Sequence, residues 1–325
     1  MYQPTLAQLD AAAATVYQAM PPTPQYSWPQ LNQALGAEAW IKHENHTPLG
    51  AFKVRGGLVY MKALVERLPE LRGVIAATRG NHGQSVAFAA LRHGLQVKIY
   101  VPFGNSVEKN AAMRSLGAEL IEVGDDFQQC REHACKVAAD EGLHMVPSWH
   151  PDLVAGVATG WLELFRAQPD LDQVLVPIGQ GSGICGAIAA RNALGIKTRI
   201  VGVVSSHAPT YQLSFRAGRS IPAPVSTVLA DGLACRQSDA ESLGAILEYA
   251  DDILTVTDDE VAHAMRLYYR ATHNLAEGAG AAPLAAAMQI KNSKGGLKGR
   301  KIGLPLTGGN VDASLFCDVL QGPST

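Results

Sequence analysis

Residues 73–101 read GVIAATRGNHGQSVAFAALRHGLQVKIYV. The apolar run Gly73 to Ala77 stops at a polar loop, Thr78-Arg79-Gly80-Asn81-His82-Gly83. His82 to His93 then carries apolar residues at helical spacing, and Val97 to Val101 is again rich in β-branched residues. A strand covered on both faces reads as a near-continuous apolar run, and two such strands joined by a helix lie parallel. The same alternation recurs along the chain. Strands are expected at Glu119 to Val123, Val174 to Ile178 and Ile200 to Val204, with a first strand near Ala39 to His43 and a last at Lys301 to Leu304. Helices are expected at Val107 to Leu116, Asp126 to Glu141, Leu153 to Arg166 and Gly183 to Leu194. The fold class is therefore α/β, a parallel sheet with helices on both faces, and its ligands belong at the carboxyl ends of the strands. The Pro-rich entry Pro21 to Pro29 is expected to run over the surface, and Lys291 to Lys301 to form an exposed loop.

The 325 residues carry 27 Lys plus Arg against 29 Asp plus Glu, a formal charge of −2. That balance argues against nucleic acid or anionic lipid as a partner held by overall charge. With 47% hydrophobic and 17% charged residues, the chain has the apolar content to build a core. No early segment resembles an export signal, and the apolar runs fall short of the roughly 18 residues that span a bilayer, so a cytoplasmic protein is expected. The five cysteines are scattered without CxxC spacing and indicate neither a disulfide framework nor a zinc site.

Four pieces of sequence carry candidate chemistry. Gly179-Gln180-Gly181-Ser182-Gly183 follows a strand and opens a helix. Glycines there let backbone N–H groups converge on an anion such as phosphate, although a purely structural turn reads the same way. A nicotinamide dinucleotide would want an acidic residue at the end of the next strand, and Val203-Val204-Ser205 supplies none. Thr78 to Gly83 places a hydroxyl, a cation, an amide and an imidazole at a helix start, suited to a carboxylate, with a simple cap by Asn81 as the alternative. Leu306-Thr307-Gly308-Gly309-Asn310 is either a glycine turn or a third wall of the site. Lys53, between Phe52 and Val54 in GAFKVRGG, is either an ordinary surface lysine or an amine made nucleophilic by desolvation.

Taken in this order on one α/β chain, these pieces resemble the pyridoxal-phosphate enzymes of the tryptophan synthase β-subunit superfamily. They are most similar to the serine/threonine dehydratases, a group that includes serine racemase. The resemblance runs from Trp40 to Asp312 and takes in Asp231-Gly232 and the stretch Glu277 to Ala281. It implies two α/β/α subdomains with mostly parallel twisted sheets and pyridoxal 5'-phosphate in the cleft between them. The large subdomain would comprise residues 1–50 and 145–325, and the small mobile one residues 51–144. Lys53 would carry the cofactor and act as the catalytic base, and Phe52 would pack on its ring. Asn81 would reach the ring hydroxyl, and Gly179, Gln180, Gly181, Ser182 and Gly183 would hold the phosphate. Thr307 would face the ring nitrogen, while Thr78, Arg79, Gly80, Asn81 and His82 would surround the substrate carboxylate. The implied reaction is β-elimination from a 3-hydroxy amino acid such as threonine or serine, giving a 2-oxo acid and ammonia. A homodimer is the assembly expected from this resemblance.

The sequence departs from that pattern in several places. Arg79 stands where serine racemase and many dehydratases have a second serine, and a guanidinium is a poor proton shuttle, so racemisation is not expected. Arg79 instead either pins an anionic group or faces solvent. Val204 and Thr210 occupy the positions where relatives with a divalent cation place ligands, so no metal is expected. Trp149, in Ser148-Trp149-His150, is either core or a pocket wall for a bulkier substrate such as phenylserine; 3-hydroxyaspartate is a further alternative. A cysteine synthase type of β-replacement is disfavoured, because those enzymes carry Thr-Ser-Gly-Asn-Thr-Gly where this chain has Thr78 to Gly83. Only thirteen residues follow Asp312, so no C-terminal regulatory domain is expected.

Overall fold

The structure, a computed structural model, describes residues 3–322. Among them ten strands form two sheets. The strands are β1 (Gln25–Ser27), β2 (Glu38–His43), β3 (Gly73–Ala77), β4 (Gln96–Val101), β5 (Glu119–Glu122), β6 (His144–Met145), β7 (Gln173–Pro177), β8 (Arg199–Ser205), β9 (Asp252–Val256) and β10 (Lys301–Leu306). The larger sheet has the order β1-β2-β10-β7-β8-β9 and the smaller β5-β4-β3-β6. Every neighbouring pair is parallel except β1 with β2. All five residues of β3 and of β7 are buried, as strands covered on both faces require. Separate apolar clusters fill the two faces of each sheet. The smaller sheet is one continuous insertion between β2 and β7.

Three strands were not legible in advance. β1 lies inside the Pro-rich entry, which does not simply run over the surface: residues 25–27 pair with β2, and Thr23 is buried. Proline lacks only its own N–H, so the non-proline residues between prolines still pair at a sheet edge. β6 has two residues, and β9 contains Asp252 and Thr255 among its apolar residues, so neither shows a clear run. The helix Lys53–Arg67 was also missed, because its glycines obscure an apolar face formed by Val54, Leu58, Met61 and Leu64. Those glycines, with Gly156 of the helix Pro151–Ala167, allow close crossing. A Cβ on Gly156 would lie 2.2 Å from the carbonyl oxygen of Arg55, and one on Gly57 would lie 2.2 Å from Ser85 Oγ. The helix is thereby pressed against two neighbours, Pro151–Ala167 and Asn81–Leu91, and its first residue, Lys53, is held in place.

Candidate active site

A cleft opens at the carboxyl ends of β3, β7 and β10, between the two sheets. All thirteen cofactor and substrate residues expected from sequence line it: Phe52, Lys53, Thr78, Arg79, Gly80, Asn81, His82, Gly179, Gln180, Gly181, Ser182, Gly183 and Thr307. Two backbone ties join the Lys53 segment to the Thr307 loop. The Phe52 N–H donates to Thr307 O and the Gly309 N–H to Gly50 O, both at 2.9 Å, bridging Ala51 and Gly308. The Lys53 amine donates to Ser182 Oγ at 3.2 Å and lies 5.0 Å from the centre of the Phe52 ring. Burial lowers its pKa to about 8, against the opposing pull of Glu277. Its place at the first position of a helix also disfavours the ammonium form. Near neutral pH a useful fraction of this amine is therefore free base.

The glycine loop has the form an anion needs. The first backbone bond of the helix Ser182–Leu194 runs from Cys185 N–H to Gly181 O, so the N–H groups of Ser182, Gly183 and Ile184 have no helical acceptor. Gly181 sits at φ 97°, a left-handed conformation that favours glycine. A Cβ on Gly183 would meet nothing closer than 3.6 Å and would project toward the Phe52 ring, into space the cleft keeps open. Tyr211 braces the loop from behind, its hydroxyl bonding Gln180 O at 3.2 Å and Ser242 Oγ at 2.5 Å.

The loop after β3 is organised from within. Thr78 Oγ1 accepts from the N–H groups of Gly80 at 3.0 Å and Gly83 at 3.2 Å, leaving its own hydroxyl hydrogen for a guest. Asn81 does not cap its helix. Its Nδ2 donates to Glu277 Oε1 at 2.7 Å, and its Oδ1 accepts from Asn310 Nδ2 at 2.8 Å. His82 is neutral, since burial and then the neighbouring Lys53 push its pKa down to about 3. Its Nε2 has no partner among the described residues. Arg79 is exposed at the cleft rim and makes no hydrogen bond or ion pair with a described residue.

Trp149 is not a cleft residue. It packs on Val154, Cys185 and Ala245, and only Ser148 of that trio lines the cleft, while His150 caps the helix Pro151–Ala167. Val204 is in the core, and the Thr210 hydroxyl donates to Arg236 O. Among the described residues no group of three potential metal ligands comes together, and no helix is long and apolar enough to cross a membrane.

Three charged residues at the cleft were not assigned roles from sequence. Lys109, in the helix Val107–Ser115, reaches over Gly80 to Asp231 Oδ2 at 2.6 Å and lies 3.7 Å from Glu277 Oε2. The space above Gly80 is taken by that lysine, as a Cβ there would lie 2.4 Å from Lys109 Cδ. Glu277 is 4% exposed, and burial pushes its pKa up to about 7, with Lys109 opposing. These residues stand far apart in sequence, and no local spacing announces that they meet.

Comparison with known proteins agrees with this geometry. The sequence profile of the family described as pyridoxal-phosphate dependent enzyme matches residues 16–308. The chain is 32% identical over 292 residues to an L-threonine ammonia-lyase of Thermotoga maritima, covering 90% of this chain and 72% of that one. It is 30% identical over 323 residues to an L-threo-3-hydroxyaspartate ammonia-lyase of Saccharomyces cerevisiae, covering 99% and 98%. The structure of the processed form of threonine deaminase isoform 2 from Solanum lycopersicum superposes with a TM-score of 0.87 at 27% identity, over 99% of this chain and 96% of that one. The chain belongs to the pyridoxal-phosphate dependent enzymes. The residues present fit that cofactor: a desolvated amine for its aldehyde, an aromatic face for its ring and converging N–H groups for its phosphate.

Proposed function

We propose that this protein is an ammonia-lyase that removes water and then ammonia from a small 3-hydroxy amino acid such as threonine or serine. The observation that carries the reading is the buried Lys53 amine, its pKa lowered to about 8, at the cleft floor between the Phe52 ring and the glycine loop. When bound, pyridoxal phosphate supplies an electron-withdrawing ring that acidifies the substrate's Cα–H. Lys53 as free amine takes the Cα proton. The substrate carboxylate is held by the N-terminus of the helix Asn81–Leu91, the Thr78 hydroxyl and neutral His82. As the Cα–H bond breaks, its electrons form the Cα–Cβ double bond and the Cβ–O bond breaks, hydroxide leaving as water with one proton. The released enamine hydrolyses to a 2-oxo acid and ammonia. Thr307, buried and uncharged, would offer the bound cofactor's ring no carboxylate, which would favour prompt loss of the Cβ substituent. The insertion that carries the smaller sheet serves as a mobile subdomain, which on closing excludes water. The family resemblance supports a cytoplasmic homodimer.

One observation favours a second substrate class. Unpaired Arg79 at the rim offers two parallel donors to a substrate side-chain carboxylate, as 3-hydroxyaspartate would present. The pocket for a bulky side chain loses its support with Trp149 packed outside the cleft. Release of 2-oxo acid from both enantiomers of threonine and serine, and from threo- and erythro-3-hydroxyaspartate, tests both readings. Turnover of none of them, with pyridoxal phosphate bound, would overturn the assignment. Arg79→Ser is expected to lower kcat/KM for 3-hydroxyaspartate at least tenfold more than for threonine, the size of one charge-assisted pair. Equal effects on the two substrates would place Arg79 outside substrate binding.

A further inference from the structure

The amine of Lys53 has one hydrogen-bond partner among the described residues, the hydroxyl of Ser182 at 3.2 Å. Ser182 opens the helix Ser182–Leu194 and is 2% exposed, yet no side chain caps that end of the helix. Its oxygen accepts from Lys53, and its own hydrogen has no acceptor among the described residues. A buried hydroxyl normally gives that hydrogen to a nearby carbonyl. Ser85, on the other side of Lys53, does so, donating to Lys53 O at 2.7 Å. Of the two serines that line the cleft, Ser148 and Ser182, only Ser182 touches the amine.

The proposed elimination needs such a hydrogen. Once Lys53 has taken the Cα proton it is an ammonium, and it must lose a proton before it can attack an aldehyde again. Hydroxide, for its part, needs a proton to leave as water. Other groups in the cleft are poorly suited to supply it. His82 is neutral, Lys109 is committed to Asp231 at 2.6 Å, and Cys235 Sγ gives its hydrogen to Gln237 O at 3.0 Å. We propose that Ser182 is a proton relay for Lys53: as the Cβ–O bond breaks, the hydroxyl gives its hydrogen to the departing oxygen and takes one from the Lys53 ammonium. At Ser182 one O–H bond breaks and one forms, water leaves, and Lys53 returns to the free amine. The two transfers are concerted, so no alkoxide has to form. The inference rests on the proposed elimination.

The groups facing the amine set how readily it returns the proton. Burial disfavours the ammonium, Glu277 opposes burial, neutral His82 adds no charge, and the Phe52 ring lies 5.0 Å away. The Ser182 oxygen binds the ammonium more tightly than the amine, because a charged donor makes the stronger hydrogen bond. In the neutral form the same contact uses an N–H and leaves the lone pair for the Cα proton.

Two substrates that differ in the leaving group separate this role from a structural one. Chloride leaves 3-chloroalanine without a proton, whereas hydroxide leaves serine only with one. Holoenzyme saturated with pyridoxal 5'-phosphate is assayed for 2-oxo acid release from each. Ser182→Ala is expected to lower kcat with serine by about a hundredfold, and to cost at least about tenfold less with 3-chloroalanine. Ser182→Thr, which keeps the hydroxyl, should restore most of the serine turnover. Equal losses on the two substrates would overturn the proposal and leave Ser182 as a support of the glycine loop. Wild type inert toward both would instead remove the elimination itself. A second readout needs no turnover: the full chain freed of cofactor is mixed with pyridoxal 5'-phosphate, and the rate of imine formation is followed by absorbance against pH. Ser182→Ala should move the midpoint of that profile to lower pH by about one pH unit, as the ammonium loses its acceptor. An unmoved midpoint would overturn the proposal equally. If Ser182→Ala fails to fold, Ser182→Gly, which matches its neighbours Gly181 and Gly183, decides by the same two measurements.

Discussion

On one side of Lys53, Arg55 and Lys42 face Glu44 and Glu163, two cations against two anions, all nearly inaccessible to solvent. Arg55 donates to Glu44 at 2.7 and 3.0 Å, to Glu163 at 2.7 and 2.9 Å, and to Thr159 and Thr23 at 3.0 and 3.1 Å. Lys42 reaches Glu163 and Thr23 O, and Tyr17 closes the set on Glu163. On the other side, lining the cleft, Lys109 faces both Asp231 and Glu277, and one carboxylate oxygen has no donor. The first cluster is balanced in charge and saturated in hydrogen bonds, and Arg55 holds the Glu44 carboxyl below the ordinary carboxylate range despite its burial. In the second, burial outweighs the one shared cation, and Glu277 moves the opposite way. Desolvation is common to both; the number of donors per carboxylate sets the sign. A saturated cluster has one protonation state and fixes geometry, whereas an unsaturated one keeps a choice.

That contrast has consequences in order of size. Lys53→Ala, which removes the amine between the clusters, is expected to reduce turnover by at least about four orders of magnitude while the thermal midpoint stays near wild type. Residual 2-oxo acid formation above that level would move the base elsewhere. Arg55→Met leaves two buried carboxylates without their main partner and is expected to destabilise the fold by about 3–5 kcal/mol in denaturant titration. Lys109→Met should lose far less, because Glu277 can take up a proton where Glu44 has no such easy exit. Similar losses for the two variants would erase the distinction between the clusters.

The smallest effect is the pH dependence of stability, and it has opposite signs in the two clusters. Glu277 has a raised pKa in the folded state, so the native protein binds the extra proton between the ordinary carboxylate range and about 7. Its contribution therefore becomes unfavourable as pH rises through that window. Glu44 has a lowered pKa, so its contribution is present above the ordinary carboxylate range and is lost as pH falls through it. Thermal midpoints of wild type and Glu277→Gln, compared at about pH 5 and about pH 8, should show the variant gaining relative stability at the higher pH. A constant difference would show that Glu277 ionises as an exposed carboxylate does.

Much of this was visible beforehand, for a definite reason. β3, β7 and β8 are apolar on both faces, so their runs stand out, and the loops that follow carry the glycines and polar groups of the cleft. The short or mixed strands β1, β6 and β9 had no such signature. The thirteen expected residues meet in one cleft because each lies at a strand's carboxyl end or a helix's first turn. Trp149 illustrates the limit: its neighbours Val154, Cys185 and Ala245 come from separate helices, and tertiary packing rather than local sequence turned this half-buried ring onto them and away from the cleft.

Local chemistry is written in short segments, and from them the strand and helix alternation, the glycine loop and the candidate lysine could be read directly. The pairing of Lys109 with Asp231 and Glu277, and of Arg55 with Glu44 and Glu163, joins residues up to 168 positions apart, from 109 to 277. Ionisation depends on burial and on the count of nearby donors, and both come into being only when the two sheets pack around the cleft.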